Sequence, residues 1–190
     1  NWPSAAKAWE YLVGDFLQDF PFENDVSRAG AVAFAMSLMI APDMTGEMGP
    51  PLFVVSANRH SLGKTYLLAS LAEAVTGATA ITGAWPEKKE EMEKVIGAIA
   101  IENAPFHIFD NAPRGWHVGG NALDMYVTSP IFTGRVLGSS QMHKGPASAV
   151  LAVTGNNITA FADTRSRTVP IDLFLDADEN QHTREFKHKS

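Results

Sequence analysis

Between Ser56 and Thr65 the chain reads Ser-Ala-Asn-Arg-His-Ser-Leu-Gly-Lys-Thr, preceded by the apolar run Leu52-Phe53-Val54-Val55 and followed by Tyr66-Leu67-Leu68. An apolar strand, a turn of small and polar residues ending in Gly-Lys-Thr, and then a helix are the parts of a phosphate-binding loop. Backbone N–H groups of such a turn, with those of the helix N-terminus, surround an anion. Lys64 would reach the β- and γ-phosphates as a point charge, and the Thr65 hydroxyl would ligate Mg²⁺. Asn58, Ser61, Leu62, Gly63 and Tyr66 make up the rest of the expected nucleotide contact. The first glycine of G-x-x-x-x-G-K-[ST] falls at position 58, where this chain has Asn58, a residue that tolerates a left-handed backbone better than most. The competing reading is a Gly-Lys-Thr that merely opens a surface helix. His60, inside the loop, could touch phosphate or be a solvated turn residue.

Further groups downstream could complete the chemistry. His107-Ile108-Phe109-Asp110-Asn111 reads as a short apolar strand ending in an acid. After a phosphate-binding loop, that is where a carboxylate holds the Mg²⁺ hydration shell. The strand-ending turn is the alternative for Asp110. A second apolar strand, Ala147 to Thr154, stops at Gly155-Asn156-Asn157, where the Asn156 amide could hold an attacking water or the γ-phosphate, or simply form a turn. Arg165 and Arg167 precede the last strand, Thr168 to Phe174. An arginine there could reach a γ-phosphate on a neighbouring subunit or make a surface ion pair. Trp116 and His117 lie in a Gly/Pro-rich loop and could stack on bases or anchor the loop. The six histidines are dispersed and the chain has no cysteine, so no metal is expected beyond nucleotide-bound Mg²⁺.

The elements that must carry these groups follow from periodicity. Ser4 can cap a first helix with Trp9, Leu12, Val13, Phe16, Leu17 and Phe20 in one buried stripe, closed by Pro21. Ser27 can cap a second, apolar on nearly every face and expected to be buried, running to about Ile40. The helix after the loop buries Leu67, Leu68, Leu71, Ala72 and Val75. Ala80-Ile81-Thr82 is a weak strand, and a helix begins at Pro86 with Met92, Val95, Ile96 and Ile99 on its buried face. Asn121 to Thr128 is a short helix, and Pro170 restricts the last strand to an edge or irregular position. The expected organisation is an α/β chain: a helical segment over 1–45 packed on a core over 46–175, then a polar tail over 176–190.

At 190 residues and 45% apolar content the chain can bury a substantial core. A net charge of −6 argues against a protein that coats itself in nucleic acid, so any DNA contact must be focused. The apolar stretch from Ala29 to Ala41 is shorter than the roughly 20 residues a membrane span needs. The absence of cysteine fits a reducing compartment, and a cytoplasmic location is expected. The chain starts at Asn1 without a signal sequence and is read as a piece of a longer polypeptide.

The order of motifs resembles the ATPase domain of primase/helicase-like proteins of phages, plasmids and mobile elements, P-loop NTPases related to the AAA+ and superfamily 3 helicase groups. The likeness rests on Asp19-Phe20-Pro21-Phe22, Gly63-Lys64-Thr65, Phe109-Asp110-Asn111, Thr128-Ser129, Arg135-Val136-Leu137-Gly138, Thr154-Gly155-Asn156-Asn157, Asp163 with Arg167, and Arg184-Glu185-Phe186. It implies a three-layer sandwich with a mainly parallel central sheet, preceded by the helical pair. It implies an ATP-driven motor on DNA, working as a ring, typically a hexamer, with single-stranded DNA as the partner of the assembled ring. By that likeness Lys64 and Thr65 bind phosphates and Mg²⁺, Asp110 is the Walker B acid, and Asn156 the sensor. Arg167, then Arg135, then Arg165 are the candidates for an arginine acting in trans. Three residues depart from the pattern: Ser61 where a glycine is usual, Ser166 before Arg167 where a second arginine is common, and Asn111 in place of a general-base carboxylate, which Glu90 or Glu91 could replace. The chain also stops soon after Phe186, before the helical lid of such ATPases. Two alternatives remain: a non-hydrolysing assembly module of a replication complex, and a small-molecule P-loop phosphotransferase.

Overall fold

The computed structural model describes residues 4–43, 49–135 and 142–176. Val136-Leu137-Gly138, Arg184-Glu185-Phe186, the side chain of Arg135 and the tail beyond residue 176 lie outside the described residues. Ser4 caps α1 (Ala5–Tyr11) by accepting the Lys7 N–H. The helix then widens into a π-helical stretch, Leu12–Phe16, with the Leu17 N–H on the Leu12 carbonyl at 3.0 Å. That wider turn shifts the phase of the side chains that follow it. Leu17 is fully buried and Leu12, Val13, Phe16 and Phe20 pack beside it, but Trp9 is 55% exposed and α1 buries nothing. The single stripe expected from helical spacing is therefore broken at Trp9.

The second helix, α2 (Asp25–Ile40), is capped by Asn24, whose Oδ1 accepts the Ser27 N–H at 2.9 Å. Ser27 is thus a first-turn residue instead of the expected cap, and its buried hydroxyl accepts the Asp172 N–H at 3.0 Å. Ala31, Phe34, Ala35 and Leu38 are buried, whereas Val26, Met36, Met39 and Ile40 are exposed. The all-apolar sequence overstated how much of α2 is covered, because the helix packs on the sheet with one side. A short 3₁₀ turn, Ala41–Asp43, ends it.

The remaining elements are β1 (Leu52–Ala57), α3 (Lys64–Thr76), β2 (Thr82–Ala84), α4 (Lys89–Glu102), β3 (Phe106–Ala112), β4 (His117–Val118), α5 (Asn121–Thr128), β5 (Ile131–Arg135), β6 (Met142–Pro146), β7 (Val150–Asn156), β8 (Thr159–Ala160), α6 (Ala162–Arg165) and β9 (Thr168–Leu173). Five strands form one sheet in the order β2-β3-β7-β1-β9, every pair parallel. Parallel strands sandwiched by helices are apolar on both faces, and β1 and β7 are buried at every residue. On one face Phe53, Val55, Phe106 and Ile108 meet α2 and α3; on the other Leu52, Val54, Phe109 and Leu151 meet α4 and α5. The chain is thus α/β with a mainly parallel central sheet between helical layers. The N-terminal helical segment shares the first of these cores, through Leu17, Ala31 and Phe34.

Three local differences from expectation have simple causes. The strand β2 lies two residues later than Ala80-Ile81-Thr82, and the Trp85 N–H donates to the Asp110 carbonyl at 3.1 Å. That bond keeps the chain extended past Pro86, so α4 starts only at Lys89. The ribbon β5–β6, paired from Ile131↔Pro146 to Arg135↔Met142, was not expected, since its sequence is short and lacks clean alternation. As Pro170 required, β9 is an outer strand; Phe22 bridges Leu173 and covers its free side.

His107 is the one buried ring whose outer nitrogen, Nε2, has no hydrogen-bond partner among the described residues. It packs edge-on to Phe109, and a Cβ at Gly83 would lie 3.0 Å from Nε2. Burial pushes its pKa below the ordinary histidine value, only partly opposed by the Glu102 carboxylate. Above about pH 6.5 both folded and unfolded chains hold this histidine neutral; below it the unfolded chain gains the proton first. Stability should therefore fall as pH drops from about 6.5 toward the lower folded value. Urea midpoints at about pH 7.5 and about pH 5 should differ more for the wild type than for His107→Leu; equal differences would place the acid sensitivity elsewhere.

Candidate functional site

The loop between β1 and α3 leaves the C-terminal edge of the sheet. Its left-handed residues are Ser61 (φ 58°) and Gly63 (φ 84°); Asn58 is not one of them. Asn58 has a different task from the backbone tolerance expected of it. Its Nδ2 donates to the Leu175 carbonyl at 2.8 Å and its Oδ1 accepts the Leu175 N–H at 3.1 Å, so the side chain imitates a paired strand residue. Ser61 fills the position where a glycine is usual, and a side chain in that conformation costs about 1–2 kcal/mol. The Leu62 side chain is buried in the core, which leaves only its backbone for a ligand. Gly63 faces the Phe20 ring, 3.5 Å from where a Cβ would stand, and Tyr66 is 66% exposed with its ring 6.2 Å from that of Phe20.

Lys64 opens α3 and is only 8% exposed. Its Nζ donates to Asn156 Oδ1 at 2.8 Å, and the Asn156 amide nitrogen meets His60 Nδ1 at 2.8 Å. Burial pushes the Lys64 pKa down, and the nearby Asp110 carboxylate opposes this. Next along the helix, Thr65 Oγ1 donates to Asp110 Oδ1 at 2.5 Å. The same carboxylate oxygen accepts the Thr154 hydroxyl at 2.6 Å, while Thr154 Oγ1 accepts the Asn111 N–H at 3.2 Å.

How the sequence aims these groups is visible in the backbone. The pairing of β3 with β7 shifts between Phe109 and Ala112, and Asn111 within the shift is left-handed (φ 59°). Such a bulge turns one side chain out of its regular alternation. Asn111, tolerant of that backbone, donates from Nδ2 to Asp110 Oδ2 at 3.1 Å. Gly155 allows the close approach, since a Cβ there would lie 2.9 Å from the Ala112 carbonyl. Asn156 ends β7, so the turn is left to Asn157 (φ 52°), whose N–H donates to the Ala57 carbonyl at 3.0 Å.

The structure therefore brings Asn58, Ser61, Leu62, Gly63, Lys64, Thr65, Tyr66, Asp110 and Asn156 to one edge of the sheet. Arg165 and Arg167 are not there. The Arg167 carbonyl accepts the Leu52 N–H at 3.0 Å, which sets it at the opposite, N-terminal end of β1. The length of β1 separates it from the loop by roughly 17 Å at about 3.3 Å per residue. Arg135 ends β5, in the ribbon that leads into the N-terminal end of β7. Glu90 and Glu91 are exposed in the first turn of α4. Sequence reasoning assigned no role to Thr154 and none toward Asn156 to His60. The signal for Thr154 was its place one residue before Gly155, opposite the acid; His60 had none.

Among the described residues no group of three or more His, Cys, Asp or Glu could hold a metal ion. The oxygens of Thr65, Asp110 and Thr154 form a hard, oxygen-only set, which suits Mg²⁺ carried in with phosphates better than an all-protein cage. A scan against protein-family models finds no match to this chain, and a search of curated proteins finds none.

Two substitutions test the loop's construction. Ser61→Gly should raise unfolding free energy by about 0.5–1 kcal/mol, the left-handed penalty less the entropy of glycine. Asn58→Gly should lower it by about 1–2 kcal/mol through loss of two hydrogen bonds. Denaturant titration of both variants decides, and a destabilised Ser61→Gly would contradict the strain argument.

Proposed function

We propose that the chain is the ATP-binding and hydrolysing core of a P-loop motor of the primase/helicase kind, acting on DNA as a ring oligomer. The observation that carries this reading is the convergence of Lys64, Thr65, Asp110 and Asn156 at the end of a parallel sheet, with β7 lying between the strand that feeds the loop and the strand that carries the acid. Such an arrangement suits phosphoryl transfer, where the protein's work is positioning and charge stabilisation. Lys64 supplies the cation for the β/γ-phosphates, and Thr65 and Asp110 would hold Mg²⁺, which neutralises charge on the phosphate oxygens when bound. The position of Arg167, far from its own loop, supports its use on a neighbour's phosphate.

A second reading draws support from Asn111. Its side chain is spent on Asp110 and offers no carboxylate beside the acid, which favours a nucleotide-binding assembly module that does not hydrolyse.

Isothermal titration with ATP and Mg²⁺ should show binding that Lys64→Ala weakens by at least about tenfold, roughly 1.4 kcal/mol or more. No binding by well-folded wild-type protein would overturn the nucleotide reading.

The trans arrangement has its own test in the full-length protein. Lys64→Ala and Arg167→Ala should each abolish hydrolysis alone, and their mixture should recover part of it, because a Lys64→Ala subunit still lends its arginine to an intact loop. A mixture as inactive as its parts would remove Arg167 from that role.

A further inference from the structure

His60 lies in the loop beside Asn156, the side chain at the end of β7 that receives Lys64. Lys64 Nζ is a donor with no acceptor capacity, so the Asn156 atom it meets at 2.8 Å must be Oδ1. That fixes the other end of the amide as Nδ2, a donor, facing His60 Nδ1 at 2.8 Å. His60 Nδ1 must then accept, which requires a neutral imidazole with its proton on Nε2. Asn156 is 7% exposed and Lys64 8%, so a reversed amide would set Nδ2 against a buried ammonium. The three residues form one chain of donors and acceptors with a single consistent direction.

We propose that His60 is a positioning residue that locks the Asn156 amide with Oδ1 turned toward the phosphate side of the site. The proposal rests on the ATPase reading and assigns Asn156 its part in it. When Lys64 turns to a phosphate, Oδ1 is left as an acceptor aimed at the site. There it orients the attacking water by accepting one of its O–H groups, a task no carboxylate at position 111 performs. The water oxygen bonds to the γ-phosphorus as the bond to the β,γ-bridging oxygen breaks. ADP leaves, and the two protons of the water end on the released phosphate. His60 touches none of these atoms; it holds the amide that does.

Two measurements decide. Long-range ¹H–¹⁵N correlation spectra of the wild-type chain, without nucleotide, should show His60 protonated on Nε2 alone, and His60→Ala should shift the Asn156 side-chain NH₂ resonances. A proton on Nδ1, or unchanged Asn156 resonances, overturns the proposal. In the full-length protein, His60→Ala should lower kcat for ATP by about tenfold with KM changed less than about threefold, while His60→Asn, whose Oδ1 can accept in the place of Nδ1, should keep kcat within about threefold. Equal loss in both variants, or none in His60→Ala, also overturns it. Absence of MgATP binding by the wild type is a separate outcome: it sinks the ATPase reading, and the role in turnover with it, while the spectra still report which way the amide is held.

Discussion

The Asp110 carboxylate is the group on which the architecture of the site turns. A carboxylate set among packed strands is costly unless its lone pairs are occupied. Here Thr65 from α3, Thr154 from β7 and the neighbouring Asn111 occupy them. Each donor comes from a different segment, so satisfying one acid fixes the relative placement of three. The order β3-β7-β1 makes this possible, since strands about 4.8 Å apart spread their ends over about 10 Å, the scale of a polyphosphate.

Three asparagines around the site, two of them where a glycine or a carboxylate would be usual, are each used for the side-chain amide. Asn58 pairs with the backbone of Leu175, Asn111 turns the bulge and binds Asp110, and Asn156 joins Lys64 to His60. A side-chain amide carries a donor and an acceptor on one rigid group, and can stand in for a peptide unit where the main chain cannot reach. The substitutions exchange the freedom of glycine and the charge of a carboxylate for fixed hydrogen bonds.

The groups that meet at the sheet edge were largely legible in the sequence, because Gly63-Lys64-Thr65 follows one apolar run and Asp110 closes another, which sets them at the same end of parallel strands. The parallel core was legible too, since strands buried on both faces read as unbroken apolar runs such as Leu52 to Val55. What periodicity could not supply was phase and coverage. The π-helical stretch after Tyr11 detached Trp9 from its stripe, and the exposed side of α2 looks in sequence like its buried side. The pairing of His60 with Asn156 escaped notice because the two lie 96 residues apart, and no local pattern encodes such a meeting. The ribbon β5–β6 escaped because its pairing is decided by packing of Phe132 into the core more than by alternation.

The two hydrogen bonds between Asn58 and Leu175 make the start of the β1–α3 loop and the chain leaving β9 one mechanical unit. A pull on the backbone at Leu175 reaches the loop through a single side chain, without first deforming the sheet. The linkage that carries such a load is an asparagine, and a glycine at position 58 would be a slack joint.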